Sequence, residues 1–455
     1  MSPLKPLALA VSGLFAFSSA SAAEVVQKVK PPVSQAYIDL ATFTGGAPSP
    51  AAGMAGMGGV TGMLGGLFGG GVGAAKNAER GNTFGQTQGQ GQGRWMDVTL
   101  LTRENPKLKA ATQAVPAGSK LAPSLNLQAP ELEKPGGDGN MEQVTGMGDN
   151  NMPKGKMYLY WGCGAEVRKG QPLVLDLAKM DPAQYSKFFQ NRSATQHLPA
   201  PAPGRPAWPN KADDRLLPEG ASVAGEHAFS GEGLPEGFKF NIDGAHDLMP
   251  AVEANRSDSA GGVLFKWKAM PQATGWFVQA MGMRDPAAAG EGEIEMVYWS
   301  SSELPDMGMG LINYQPDSAI AKWQKEKVIL PASATECVAP KEAVSAMAML
   351  HVIAYGDELN MAYPPRPKDP KVTWEPQWDV KVRRKSVASL MPGMSAMNAA
   401  MGGGEAGSAP VAAKQPQQAK AAQDGTNEAV EAVKKSAFDV FKNVLQRKAE
   451  EVLSR

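Results

Sequence analysis

The hydrophobic and polar positions along the chain predict strands more often than helices. Phe238, Phe240 and Ile242 alternate with polar residues, which is typical of a strand with one buried face. Turn signals separate three further apolar runs, GGVLFKWKAM, ATGWFVQAMGM and GEIEMVYWSSS, and a fourth run, AMLHVIAYGDELNMAYPP, ends in a turn and prolines. We therefore predict a mainly β fold with one or two antiparallel, sandwich-like domains.

The end of the chain has a helical pattern instead. Residues 426–455 contain no glycine or proline and are rich in strong helix formers. One apolar stripe on this predicted amphipathic helix includes Val430, Val433, Phe441, Val444 and Leu445. Because such a stripe has to be buried, we expect the helix to dock on its own chain, to self-associate or to bind a protein partner.

Changes in composition divide the chain into predicted units. The units are a signal peptide at 1–23, an N-terminal arm with a Gly/Met-rich low-complexity segment at 24–102, a loop-rich linker at 103–155, a first β-rich domain at 156–254, a second, sandwich-like domain at 255–385, a disordered linker at 386–425 and the amphipathic helix at 426–455.

The first residues have the pattern of a secretory signal. Lys5 precedes the apolar stretch 7–17, and small residues at 20–23 suit a cleavage site. We expect export to the periplasm, the outer membrane surface or the extracellular space.

The segment 53–73 allows two interpretations. Eleven of its 21 residues are glycine, and it carries no charge. A glycine seam resembles the contacts of membrane helices, but each glycine costs roughly 1 kcal/mol of helix propensity in water. The composition favours a flexible, uncharged arm, with contact to a membrane as the alternative.

The balance of charges and the number of cysteines bear on the class of partner and on the cellular compartment. Basic and acidic residues number 45 each, and this balance argues against nucleic acid as the main partner. The only two cysteines, Cys163 and Cys337, could form a disulfide in an oxidising compartment or could remain two separate buried thiols.

Motifs for catalysis or cofactor binding are lacking. The chain contains no HExxH, GxSxG or phosphate-loop motif, so we assign no catalytic residue and no cofactor. His227 and His246 flank one predicted hairpin and are the weak candidates for zinc. Met391, Met394 and Met397 form a thioether series that would suit Cu(I), so copper is the alternative to no cofactor.

Two strand-like segments resemble each other. AYIDLATFT at 36–44 and RWMDVTLLT at 94–102 align Asp39 with Asp97. We interpret the match as chance similarity between two β-type segments, with a degenerate repeat of two strands that pair or occupy equivalent sites as the alternative. The basic segment 366–385 is interpreted as a charged edge strand, with an anion-binding patch beside Trp374 and Trp378 as the alternative.

The segments FKWKAMPQATGWFVQAMG and LHVIAYGDELNMAYP resemble the fibronectin type III and immunoglobulin-like sandwich pattern. In that family an inward tryptophan, here Trp267, packs on an aromatic residue of the next strand, here Trp276. A late strand carries an alternating hydrophobic and tyrosine run, here Val352, Ala354 and Tyr355. Region 156–385 also resembles uncharacterised secreted proteins of Gram-negative bacteria, which implies no activity.

Together these patterns predict an exported, non-enzymatic structural or interaction protein of the cell envelope or surface. One alternative is a membrane-attached assembly protein that uses 53–73. The other is a hydrolase of an envelope polymer or polysaccharide, since two distant carboxylates can meet in any fold.

Overall fold

The computed structural model describes residues 27–45, 82–88, 91–131, 155–177, 179, 182–194, 199–259, 261–284, 294–345 and 348–390. Several predictions from the sequence lie outside these residues: the signal peptide, segment 53–73, the series Met391, Met394 and Met397, and the C-terminal stripe of Val430, Val433, Phe441, Val444 and Leu445.

The prediction of a mainly β fold is confirmed for the described part of the chain. The strands are β1 Ser34–Thr44, β2 Gly93–Thr102, β3 Ala110–Ala114, β4 Ser124–Gln128, β5 Gly155–Trp161, β6 Leu173–Asp176, β7 Ala207–Trp208, β8 Gly225–Ser230, β9 Lys239–Ile242, β10 Ala254–Ser259, β11 Gly262–Trp267, β12 Gly275–Met283, β13 Ile294–Ser300, β14 Leu330–Pro331, β15 Glu336–Ala339, β16 Met349–Tyr355, β17 Leu359–Tyr363 and β18 Trp378–Leu390. The α-helices are α1 Pro182–Phe188 and α2 Asp317–Lys325.

Fifteen of these strands form one large mixed sheet. Its order is β6-β5-β13-β12-β16-β18-β1-β2-β7-β4-β3-β8-β9, with β14 beside β12 and β17 beside β18, while β10, β11 and β15 form a separate small sheet. The prediction of antiparallel sheets is wrong at two places, because β1 pairs with β18 and β5 pairs with β13 in parallel. Parallel partners lie far apart in sequence, so hairpin signals between neighbouring segments do not reveal them.

The centre of the large sheet is built from both ends of the described chain. β1 pairs with β18 from Ser34↔Trp378 to Thr44↔Ala388, and with β2 on its other edge. The interpretation of 366–385 as an edge strand is wrong, because β16 and β17 occupy the second edge of β18. The two similar segments form β1 and β2 and pair with each other, as the alternative interpretation expected, with Asp39 opposite Asp97.

The large sheet also runs across the predicted units. β1 and β2, from the predicted arm, lie at its centre, and β3 and β4 form from the segment predicted as a linker. β6 pairs with β5 and β5 with β13 at one end, β8 and β9 lie at the other end, and β7 lies between β2 and β4. The strands of region 156–254 are therefore spread over separate parts of a single sheet.

Three hydrophobic cores pack against the faces of the large sheet. The first contains Ile38, Val98 and Val382 from the central strands together with apolar side chains of β3, β4, β8 and β9. The second lies where α1 and α2 cover the half of the sheet that contains β5, β12 and β13. The third lies between the small sheet and β12 and β16, where the ring centroids of Trp267 and Trp276 are 5.5 Å apart.

A disulfide links the small sheet to the large one. It joins Cys163, just after β5, to Cys337 in β15, and their Cα atoms are 5.4 Å apart.

Within the described residues, none of the helices combines the length and the apolar character that crossing a membrane requires.

Candidate functional site

The two faces of the central strands differ in chemistry. Side chains alternate along β1, so Ile38 faces the first core while Asp39 faces the opposite side. The strand register places Arg383 of β18 and Asp97 of β2 on either side of Asp39. A row of charged residues therefore crosses one face of the sheet at its centre.

Asp39 and Arg383 form a buried, two-pronged ion pair. The Nε and Nη2 atoms of Arg383 each donate to a carboxylate oxygen of Asp39, and both distances are 2.7 Å. The side chain of Asp39 is fully buried and that of Arg383 is 7% exposed. Burial raises the pKa of Asp39, and the adjacent guanidinium opposes that rise.

Lys385 is the next charged residue along the same face of β18. Its Nζ atom donates to the carbonyl oxygen of Ile312 at 3.2 Å and lies 4.7 Å from the ring centroid of Tyr314. No exposed surface remains on this residue, and burial lowers its pKa to about 7. The buried ammonium group of Lys385 therefore loses its proton near neutral pH.

Asp97 lies on the other side of Asp39 and is covered by segment 82–88. It accepts hydrogen bonds from the backbone N–H groups of Gly85 and Thr87, at 3.0 and 3.3 Å, and from the Thr87 hydroxyl. Burial raises its pKa to about 7, against the effect of these bonds, and the facing Asp39 adds to the rise. We call Asp39, Asp97, Arg383 and Lys385 the buried charge cluster.

A cleft opens beside the buried charge cluster, on the same face of the sheet. Its volume is about 630 Å³, within the usual range of small-molecule sites. Arg383 is one of the residues that line it, so the cleft borders the buried charge cluster. The other polar and aromatic residues that line it are Gln35, Tyr37, Glu358, Asn360, Trp374, Asp379 and Lys381.

The charged groups of the cleft have partners within the protein. Gln35 donates from Nε2 to the carboxylate of Asp379 at 3.2 Å, and Lys381 forms an ion pair with Glu358 at 3.5 Å. Burial raises the pKa of Asp379, while the hydrogen bond from Gln35 and the charge of Lys381 oppose that rise.

Two polar groups of the cleft have no such partner. Within the described residues, neither the hydroxyl of Tyr37 nor the side-chain amide of Asn360 makes a hydrogen bond to the protein. Burial raises the pKa of Tyr37, and the nearby Asp379 raises it further, so the hydroxyl keeps its proton at neutral pH. Both groups can therefore donate to a bound molecule and accept from it.

The histidines proposed for zinc have separate partners. His227 is buried in β8, where its ring nitrogens contact Gln113 and the carbonyl oxygen of Val223, and burial lowers its pKa. His246 instead contacts the carboxylates of Asp243 and Asp357, at 2.7 and 3.2 Å. In the part of the chain that the structure describes, no three His, Cys, Asp or Glu side chains are grouped to hold a metal ion.

The prediction of an anion-binding patch at 366–385 is wrong for Arg383, Arg384 and Lys385. Arg383 and Lys385 are buried, and Arg384, also buried, donates to the carbonyl oxygen of Ala245 at 2.6 Å. Trp378 is buried as well and stacks on Phe238, whereas Trp374 lines the cleft. Burial therefore closes off Arg384 and Lys385 from an anion, and Arg383, which borders the cleft, is already paired with Asp39.

Sequence reasoning missed the cleft residues Gln35, Tyr37, Asn360 and Asp379. No motif marks them, because they come from three strands that meet only in the folded sheet. One signal did point to the cluster beneath: Asp39 and Asp97 each interrupt an apolar strand, where an unpaired charge is costly.

Compared with known protein families, curated proteins and solved structures, the chain matches none of them. Its function has to be argued from this geometry.

Proposed function

We propose that the chain is an exported, non-enzymatic binding protein of the cell envelope or surface, and that the cleft holds its ligand. The observation that carries the proposal is the pair of unpartnered polar groups, the Tyr37 hydroxyl and the Asn360 amide, inside a cleft of about 630 Å³. Polar groups that converge on a cleft without using one another are available to a ligand.

The sheet beneath the cleft supports this proposal because it holds the cleft residues in place. Tyr37 belongs to β1 and Lys381 to β18, and both strands are hydrogen-bonded on two edges. The buried ion pair of Asp39 and Arg383 fixes the adjacent part of the lining. A site on rigid strands needs little ordering when a ligand binds.

Export is supported by the secretory pattern at 1–23 and by the disulfide between Cys163 and Cys337, since structural disulfides persist in oxidising compartments. We further propose that residues 255–385 pack as a sandwich-like unit and that the helix at 426–455 binds a protein partner or a second copy of the chain.

Ligand binding is tested by thermal unfolding of the mature chain against a library of sugars, amino acids, polyamines and phosphate esters. We expect at least one compound to raise the midpoint in the wild type and to have no effect on Asn360→Trp, in which an indole takes the place of the amide and obstructs the cleft. Asn241→Trp is the matched control, because Asn241 is exposed on β9 at the far end of the sheet. If no compound acts, or if all three proteins respond alike, the proposal fails.

A hydrolase is the second candidate, favoured by the presence of Asp379 and Glu358 in one cleft. Burial raises the pKa of Asp379, the direction that suits a general acid, and Glu358 would be the second carboxylate. Release of reducing ends from a bound oligosaccharide, lost in both Asp379→Asn and Glu358→Gln, would establish hydrolysis. An oligosaccharide that binds and is recovered intact would establish binding alone.

A further inference from the structure

The chemistry of the cleft also narrows the class of ligand, and this inference rests on the proposed function. Charge is the first criterion. The lining contains two carboxylates, Glu358 and Asp379, and two cations, Lys381 and Arg383. Lys381 is paired with Glu358 and Arg383 with Asp39, so neither cation of the lining is free to neutralise an anionic ligand, and a cationic ligand meets both of them. This balance favours a ligand without net charge.

Hydrogen-bonding capacity is the second criterion. A hydroxyl, an amide and a carboxylate that keeps one oxygen outside its bond to Gln35 converge from Tyr37, Asn360 and Asp379. The hydroxyl and the amide can each donate and accept hydrogen bonds, and the carboxylate accepts them. Such a mixed set suits neighbouring hydroxyl groups on a ligand, because each hydroxyl is both a donor and an acceptor. An apolar ligand would displace water from these groups and give them no hydrogen-bond partner in return.

The third criterion is the apolar part of the lining. Trp374 is held in place by a hydrogen bond from its indole N–H to the carbonyl oxygen of Pro364, at 3.0 Å, and it lines the cleft with Met361 and Pro316. A ring that carries hydroxyl groups at its rim also has C–H faces, and these require such apolar surface.

We propose that the cleft binds a neutral saccharide, with Tyr37, Asn360 and Asp379 directed at its hydroxyl groups and Trp374 in contact with its ring. The Tyr37 hydroxyl is half-buried and the Asn360 amide is exposed, so each would exchange water for a hydroxyl group of the sugar.

The test begins with a glycan array that carries neutral, amino and sulfated glycans, probed with the full mature chain. We expect neutral glycans to bind and their sulfated counterparts not to. The best neutral glycan is then titrated calorimetrically against Tyr37→Phe and Asn360→Ala, and each variant should bind about 3- to 10-fold more weakly, the effect of one lost hydrogen bond. Asn241→Ala, on exposed β9, should bind as the wild type does.

The outcomes separate the ligand class from the function. If no neutral glycan binds, but a polyamine or a phosphate ester does and Asn360→Trp blocks it, the saccharide proposal is overturned. The proposal that the cleft is a binding site then stands. Glycan binding that is unchanged in Tyr37→Phe and Asn360→Ala would overturn this assignment of the cleft. No binding on the array and none from the library would overturn both.

Discussion

Asp39→Asn should destabilise the protein strongly, because it removes the counter-charge of a buried guanidinium. Arg383 donates two hydrogen bonds to Asp39, and the two side chains are 7% and 0% exposed. Breaking a buried ion pair from one side typically costs 3–5 kcal/mol. Arg383 borders the cleft, where water can reach it, so we expect about 3 kcal/mol.

Urea unfolding followed by tryptophan fluorescence measures this loss. With a slope of about 3 kcal/mol per molar urea, the midpoint should fall by about 1 M. Asp258→Asn is the matched control: Asp258 also pairs with an arginine, Arg256, but is 56% exposed, so its loss should cost less than about 1 kcal/mol.

A double variant separates the buried charge from the lost contact. Asp39→Leu with Arg383→Met removes both ions and should recover most of the stability, since apolar replacements of a buried pair are often neutral. The reasoning is refuted if Asp39→Asn unfolds at the same urea concentration as Asp258→Asn.

Two further predictions concern the other buried groups. The pKa of Asp97 is raised from 3.8 to about 7, so the folded state holds a proton that the unfolded state loses, and this contribution to stability is complete below pH 3.8 and disappears as the pH rises through 7. The pKa of Lys385 is lowered from 10.5 to about 7, so its contribution is complete above pH 10.5 and disappears as the pH falls through 7. As the pH rises, the unfolding midpoint of the wild type should therefore fall between pH 4 and 7 and rise between pH 7 and 10. The fall should be absent in Asp97→Asn and the rise absent in Lys385→Met, and unchanged profiles would contradict the assignment. Separately, Cys163→Ser with Cys337→Ser opens a loop of 174 residues and should cost about 5 kcal/mol in the chain-entropy model; a wild-type chain with two free thiols by mass spectrometry would contradict this.

Local pattern was enough to predict the class of fold. Alternation at Phe238, Phe240 and Ile242 predicts a strand, and the structure forms β9 there. The match of Asp39 with Asp97 raised the alternative of two paired strands, which the structure confirms. These signals lie within a strand or between similar segments, so the sequence alone contains them.

The central sheet and the cleft depended on contacts between remote residues. Asp39 and Arg383 are 344 positions apart, and their parallel strands are joined by no turn that a sequence could reveal. The alternation of charges with valines in segment 366–385 predicts an edge strand. In the fold those charges meet Asp39 and the rings above the sheet, so burial becomes tolerable.

By itself, then, the sequence determined which segments form strands, since side-chain alternation is a property of a few neighbouring residues. Tertiary structure alone decided which strands became neighbours, and with that which charges are buried and which polar groups line the cleft. The physical reason is that the position of Arg383 is favourable only beside Asp39, and that Tyr37 and Asn360 are brought to one cleft only because β1 and β17 both pair with β18.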